Sequence, residues 1–224
     1  MELTRVKICG MMDEEDIHLC TRSGADALGF VIEYPVEVPW NIFRERAREL
    51  MAKVSPFVTT VAVVGGDIKH ILAIADLTLP DMVQLHGNES LDESRILVRE
   101  LSKRGIRVIK ALRINVEEDV RIQEIIEDAR EITRIGVSAL LLDSKTSRKP
   151  AGTGVPFSWE IARKVRNAIN VPLIIAGGLN SENVCDAIKS IKPYAVDVIS
   201  GVEDEPGRKN GHKIEAFIQA VRGK

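Results

Sequence analysis

Cysteine is scarce in this 224-residue chain: Cys9, Cys20 and Cys185 are the only three, and no two of them form a CxxC pair. An odd, scattered set does not build a disulfide framework, which points to a reducing, cytoplasmic compartment. Long apolar runs are missing too. None approaches the ~20 residues that span a bilayer, and the opening MELTRVKICG has no apolar segment of the signal-peptide kind. No membrane partner is expected. Charge of one sign is also lacking, because charged residues make up 29% of the chain yet the net charge is only -2. That balance leaves no electrostatic footprint for nucleic acid, so an anionic ligand would have to be held by local geometry. There is no dinucleotide GxGxxG, no Walker loop, and no His, Cys or carboxylate grouping with metal-ligand spacing, so no metal is expected.

What the chain does have is a repeated alternation. Hydrophobic residues make up 45% of it, enough for a sizeable core. Short β-branched runs alternate with amphipathic stretches. The strands read as Arg5 to Cys9, Ala27 to Ile32, Val58 to Val64, Met82 to Leu85, Arg107 to Leu112, Ala139 to Leu142, Pro172 to Ala176 and Val196 to Ser200. Between and after them, helices are expected from Asp13 onward, over about Ile42 to Lys53, from Asp67, over Leu91 to Arg104, Glu117 to Arg134, about Pro156 to Ala168, Glu182 to Ile191, and about His212 to Arg222. Asp13, Asp67, Ser90 and Ser181 stand where helix N-caps belong. The strands are nearly continuous apolar runs, as in a parallel sheet covered on both faces. Eight regular units without a long crossover favour a (β/α)8 TIM barrel, in one domain over residues 1–224, above an open doubly wound sheet.

In such barrels function gathers at the C-terminal strand ends. Two of those ends suggest phosphate: Gly177-Gly178 after the seventh strand and Ser200-Gly201 after the eighth. Glycine lets backbone N–H groups approach a phosphate closely. The bland alternative is two tight turns. A third loop, Gly152-Thr153-Gly154, could close over a ligand or be a plain polar loop. Cys9 ends the first strand and shares a side with Lys7, which could favour its thiolate; a buried cysteine is otherwise a small hydrophobe. Asp143 closes the sixth strand and reads equally as a cap, an ion-pair member or a general acid. His86 closes the fourth strand, as a proton shuttle or a loop support.

These segments resemble the phosphoribosylanthranilate isomerase family of tryptophan biosynthesis. The resemblance runs through VKICG (Val6 to Gly10), GADALGFV (Gly24 to Val31), PFVTTV (Pro56 to Val61), VQLHG (Val83 to Gly87) and LLLD (Leu140 to Asp143). It continues through GTG and FSW (Gly152 to Trp159), AGGLNSENV (Ala176 to Val184) and PYAVDVISGVE (Pro193 to Glu203). It implies an Amadori rearrangement of N-(5-phosphoribosyl)anthranilate, a small phosphorylated substrate, with no cofactor. Carried over by position, Cys9 would be the general base at C2 of the sugar and Asp143 the general acid at the ring oxygen. Gly178, Ser200 and Gly201 would hold the phosphate, and Asp197 would order the eighth-strand loop or meet the sugar.

Two positions depart from the family pattern. Its Ser-x-Arg segment after the second strand is replaced by Glu33-Tyr34-Pro35-Val36-Glu37-Val38-Pro39-Trp40, with two acids and no arginine. Arg113, at the fifth strand end, is the candidate replacement cation for the anthranilate carboxylate. Ile199 stands where the family usually has a serine. The altered loop keeps open a related isomerase or epimerase of another phosphosugar. A non-catalytic phosphometabolite binder needs neither Cys9 nor Asp143. Members of the family occur as monomers and dimers, so a homodimer is possible.

Overall fold

The computed structural model describes residues 3–115, 121–145 and 158–223. Eight parallel strands form the barrel: β1 Arg5–Cys9, β2 Ala27–Ile32, β3 Thr59–Val64, β4 Met82–Leu85, β5 Arg107–Asn115, β6 Ala139–Lys145, β7 Leu173–Ile175 and β8 Ala195–Val198. Each pairs with its sequence neighbours, and the ladders β1–β2 and β1–β8 close the ring. The helices that follow are α1 Glu14–Ser23, α2 Arg44–Met51, α3 Ile68–Thr78, α4 Leu91–Lys103, α5 Ile122–Arg134, α6 Trp159–Ala168, α7 Val184–Ile191 and α8 Gly211–Arg222.

Local chemistry accounts for the helix starts. Asp13 accepts from the Asp16 amide, and Asp67 from the His70 amide. Ser90 and Glu93 form a reciprocal capping box at α4. Ser181 is not a cap. The Asn180 side chain takes the Glu182 and Asn183 amides instead, so α7 begins at Val184. The second helix also starts later than Ile42, because Asn41–Ile42 is a short strand paired with the end of β2. Strands β5 and β6 run past Leu112 and Leu142 because they continue to pair out to Asn115 and Lys145. The eighth strand stops at Val198, and Ser200–Val202 form one 3-10 turn. A hairpin of Glu203–Glu205 and Arg208–Lys209 follows it. The expected helix starts at Glu117 and Pro156 lie outside the described residues.

Strand alternation sorts side chains into two cores. One parity (Val6, Ile8, Leu140, Leu142, Val196) packs outward against the helices. The other (Cys9, Val61, Val63, Ile109, Ala111, Leu141, Ile174) fills the barrel. Polar residues of that inward parity are buried at the upper strand ends: Lys7, Gln84, His86, Asp143 and Asp197. Burying five polar groups there costs free energy unless they have partners, and those partners define the site. Among the described residues, no helix is long and apolar enough to cross a membrane.

Candidate active site

Cys9 ends β1 inside the barrel, 7% exposed. The ladder sets Lys7 opposite Asp197 on β8, and Lys7 Nζ donates to Asp197 Oδ2 at 2.8 Å. Asp197 Oδ1 is buried without a hydrogen-bond partner. On the other side, β2 places Gly29 opposite Cys9. A Cβ at Gly29 would lie 2.7 Å from Cys9 Sγ and 3.0 Å from Lys7 Nζ. The missing side chain is therefore the space that the thiol and the ammonium occupy. Burial pushes the Cys9 thiol above its ordinary pKa; Lys7 pulls it down but does not win, and Asp197 adds to the rise. Burial would lower Lys7, yet Asp197 and Cys9 together hold its ammonium above the usual value. The Lys7 effect on the thiol thus has the expected sign and is smaller than the cost of burial.

Asp143 sits on β6, three places from β1 around the eight-strand ring, so it faces Cys9 across the interior. It is 5% exposed. His86 Nε2 lies 3.3 Å from Asp143 Oδ2, within ion-pair range but without hydrogen-bond alignment. Gln84 Nε2 is 3.0 Å from His86 Nδ1. The amide donates there, so the neutral ring carries its proton on Nε2, toward Asp143. The Tyr34 hydroxyl donates to the His86 carbonyl at 2.9 Å and anchors the loop after β2 to the fourth strand end. Gly177 has φ +86°, and a Cβ there would lie 2.9 Å from Asp143 Oδ1 and 2.7 Å from the Ser144 amide. Only a glycine lets the loop after β7 pass that close to the acid.

That loop turns through two successive left-handed residues, Gly177 and Gly178. It is locked by Asn183, whose side-chain amide donates to the Gly178 carbonyl at 2.9 Å. Beside it, Ser200 and Gly201 open the 3-10 turn, and the first amides of such a turn have no partner within it. A Cβ at Gly201 would strike the Leu179 carbonyl, so these two loops interlock. Two adjacent glycine-bearing backbone turns at the strand ends are the kind of structure whose amides can hold an anion such as phosphate.

A cavity lies between these groups. Cys9, His86, Asp143, Asp197, Gly177, Gly178 and Ser200 border it on the polar side, and Val31, Tyr34, Val38, Trp40 and Val63 on the apolar side. Arg113 does not line it. It continues the inward parity of Ala111, but its guanidinium is turned over the β4 rim onto the Gly87 carbonyl and the Asn88 side chain. Gly154 lies outside the described residues. Tyr34, Trp40, Gln84 and Gly29 were not candidates from the sequence. Gln84 carried a signal, as a polar residue inside an apolar strand; the other three show their roles only through partners distant in sequence. Among the described residues, no group of three His, Cys, Asp or Glu side chains could hold a metal ion.

Comparisons with known proteins show the family. The family model described as N-(5'phosphoribosyl)anthranilate (PRA) isomerase matches residues 6–220. The N-(5'-phosphoribosyl)anthranilate isomerase of Methanosarcina acetivorans is 38% identical over 98% of this chain and 93% of its own. The crystal structure of phosphoribosyl anthranilate isomerase from Thermotoga maritima superposes with a TM-score of 0.82 at 37% identity, over 99% of this chain and 100% of that one. A second crystal structure of this isomerase is a complex with reduced 1-(o-carboxyphenylamino)-1-deoxyribulose 5-phosphate. It superposes at 0.79 with 36% identity, again over 99% of this chain and 100% of that one.

Proposed function

Because the chain belongs to the N-(5'-phosphoribosyl)anthranilate isomerase family, we propose that Cys9 and Asp143 are the base and acid of that isomerisation. The protein acts in tryptophan biosynthesis on a small phosphorylated substrate, converting N-(5-phosphoribosyl)anthranilate to the carboxyphenylamino-deoxyribulose phosphate. One observation carries the assignment of roles: a buried thiol and a buried carboxyl face each other across a cavity beside two glycine turns.

Protonated Asp143 gives its proton to the furanose oxygen. The C1–O bond breaks as the nitrogen lone pair forms C1=N. The Cys9 thiolate then takes the proton from C2; the C–H electrons form C1=C2 and the C=N π electrons return to nitrogen. The enol so formed becomes a ketone at C2 as its O–H proton leaves and C1 takes a proton; the Cys9 thiol gives up the proton it took and Asp143 regains one, which closes the cycle. Atoms balance, and the amine nitrogen is the only electron sink required. Lys7 is the counterion of the thiolate, and Asp197 holds Lys7. The His86 ring steadies the Asp143 carboxyl. Gly177, Gly178, Ser200 and Gly201 cradle the phosphate. Each proton-transfer group is worth about 10²–10⁴-fold. The test is fluorescence loss with freshly made substrate: fast in wild type and absent in Cys9→Ala and Asp143→Ala. Normal turnover in either variant would remove that residue from its role.

Arg113 meets the substrate carboxylate only if it leaves Asn88. Arg113→Ala then raises KM about tenfold, the size of one charge-assisted contact; unchanged kinetics would exclude it. The chain is one cytoplasmic domain over residues 1–224, working without metal or cofactor. We also propose a homodimer across the N-terminal barrel face, where Phe57 is fully exposed and Tyr194 is half exposed beside a groove that both line. Sedimentation of Phe57→Asp should show monomer where wild type shows dimer; a wild-type monomer would refute the assembly.

A further inference from the structure

We infer that Trp40, held by a buried Glu203–Lys209 pair, is the residue that determines how the aryl group of the substrate is bound. Trp40 comes from the loop after β2, the loop in which the family's arginine is missing. Its indole is 7% exposed and lines the cavity. It packs against the end of β1. A Cβ at Gly10, where φ is +83°, would come 2.8 Å from its Cδ1, and Gly10 adjoins Cys9. The indole therefore occupies the room a side chain at Gly10 would take, next to the base.

The ring is fixed from behind. Trp40 Nε1 donates to Glu203 Oε1 at 2.8 Å, and Lys209 Nζ reaches the same oxygen at 2.5 Å. Side-chain exposures of 0% for Lys209 and 2% for Glu203 put both charges out of water. A buried indole N–H needs a partner, and here the partner is itself neutralised by a lysine. Glu203 and Lys209 pair across the small hairpin after β8. The hairpin that adjoins the phosphate turn thus holds the wall contributed by the second loop. Glu203 and Lys209 do not line the cavity and act through Trp40, as positioning residues.

The substrate imposes the assignment. Its phosphate is on C5 and its arylamine on C1, at opposite ends of the ribose. With the phosphate in the turns after β7 and β8, and the sugar between Cys9 and Asp143, the aryl group falls among Val31, Tyr34, Val38, Trp40 and Val63. That arc offers apolar area and an aromatic face. Ring contact is what it can give, and aromatic pairs have specific geometry beyond simple burial. This inference rests on the isomerase reading and adds to it that aryl affinity here is carried by contact with the indole.

The experiment is steady-state kinetics with N-(5-phosphoribosyl)anthranilate and with N-(5-phosphoribosyl)aniline, which lacks the carboxylate. Trp40→Ala should raise KM at least about tenfold for both substrates and leave kcat within about threefold, the pattern of lost ground-state binding. Trp40→Phe, which keeps the ring and loses the N–H, should fall between. Glu203→Ala should raise KM as Trp40→Ala does, and Glu203→Gln, which still accepts from the indole, should recover most of the loss. In a Trp159→Phe background Trp40 is the only tryptophan left. Its emission should change on binding the reduced ketose product, and Glu203→Ala should shift the unliganded spectrum. An unchanged KM in Trp40→Ala, or a fall in kcat alone, overturns the inference, as does an emission that ignores the ligand. Wild type inactive on both substrates would overturn the isomerase reading instead, and an active wild type with an indifferent Trp40 would overturn only this one.

Discussion

Of the buried lysine–carboxylate pairs at the upper end of the barrel, two look alike. Lys7 meets Asp197 at 2.8 Å and Lys110 meets Glu89 at 2.7 Å. Both are sealed from water, and each carboxylate keeps one oxygen without a hydrogen-bond partner, Asp197 Oδ1 and Glu89 Oε1. They differ in the side of the sheet. Lys7 shares the inward parity of Cys9. Lys110 has the opposite parity to Ile109 and Ala111, and its pair lies in a groove with Ser94, Arg113 and Asp128. An unsatisfied buried oxygen is thus no mark of catalysis by itself. Its meaning comes from the neighbour, a thiol at the inner pair and a loop turn at Gly87 for the outer one. In the proposed mechanism the inner pair tunes a proton acceptor, and the outer one ties the loop after β4 to β5.

The largest test of this contrast is Gly29→Ala. The added methyl would displace both Cys9 and the Lys7 ammonium, and a misplacement of about 1 Å costs roughly 10²-fold in rate. Wild-type kcat/KM in this variant would mean that the thiol need not stand where it does. Next is Lys7→Met against Lys110→Met. Lys7 lowers the Cys9 pKa, so its loss should move the thiolate to higher pH and cut kcat/KM at pH 7. Because the thiol is already raised by burial, wild-type kcat/KM should climb as pH increases above 7, and in Lys7→Met that rise should start later. Lys110→Met should leave kcat/KM and its pH profile in place. Both variants strand a buried carboxylate and should lose about 3–5 kcal/mol of stability by urea titration. Equal kinetic losses in the two would erase the distinction drawn here.

The barrel was legible because its signals are local. Alternation along each strand, Asp13 and Asp67 as caps and the Ser90–Glu93 capping box all act within a few residues. Cys9, Asp143, His86 and the four turn positions Gly177, Gly178, Ser200 and Gly201 share one rule, a polar or bare residue at a C-terminal strand end; Lys7 follows from sharing a side with Cys9, and Asp197 from the family resemblance. The sequence does not announce Trp40, since its hydrogen-bond partner Glu203 is 163 residues away. Gly29 is hidden in an apolar run, and only the β1–β2 register reveals that it faces Cys9. Arg113 follows the strand-end rule, yet Gly87 and Asn88 capture its guanidinium. The rule locates the Cα, and neighbours decide where a long side chain goes.

The Lys7–Asp197 contact joins residues 190 positions apart. It bridges the first strand and the last, along the seam where the ring closes. The most distant contacts in a chain are the costliest to form, because loop closure must precede their reward. A ribosome-bound chain that has not yet released β8 has Cys9, Gly29 and Asp143 but no carboxylate for Lys7. Turnover is therefore a reporter of completed folding: in refolding it should return with the last structural phase, after helicity has recovered. A nascent or truncated chain in the cell would hold the thiol and Lys7 without the carboxylate that fixes the lysine.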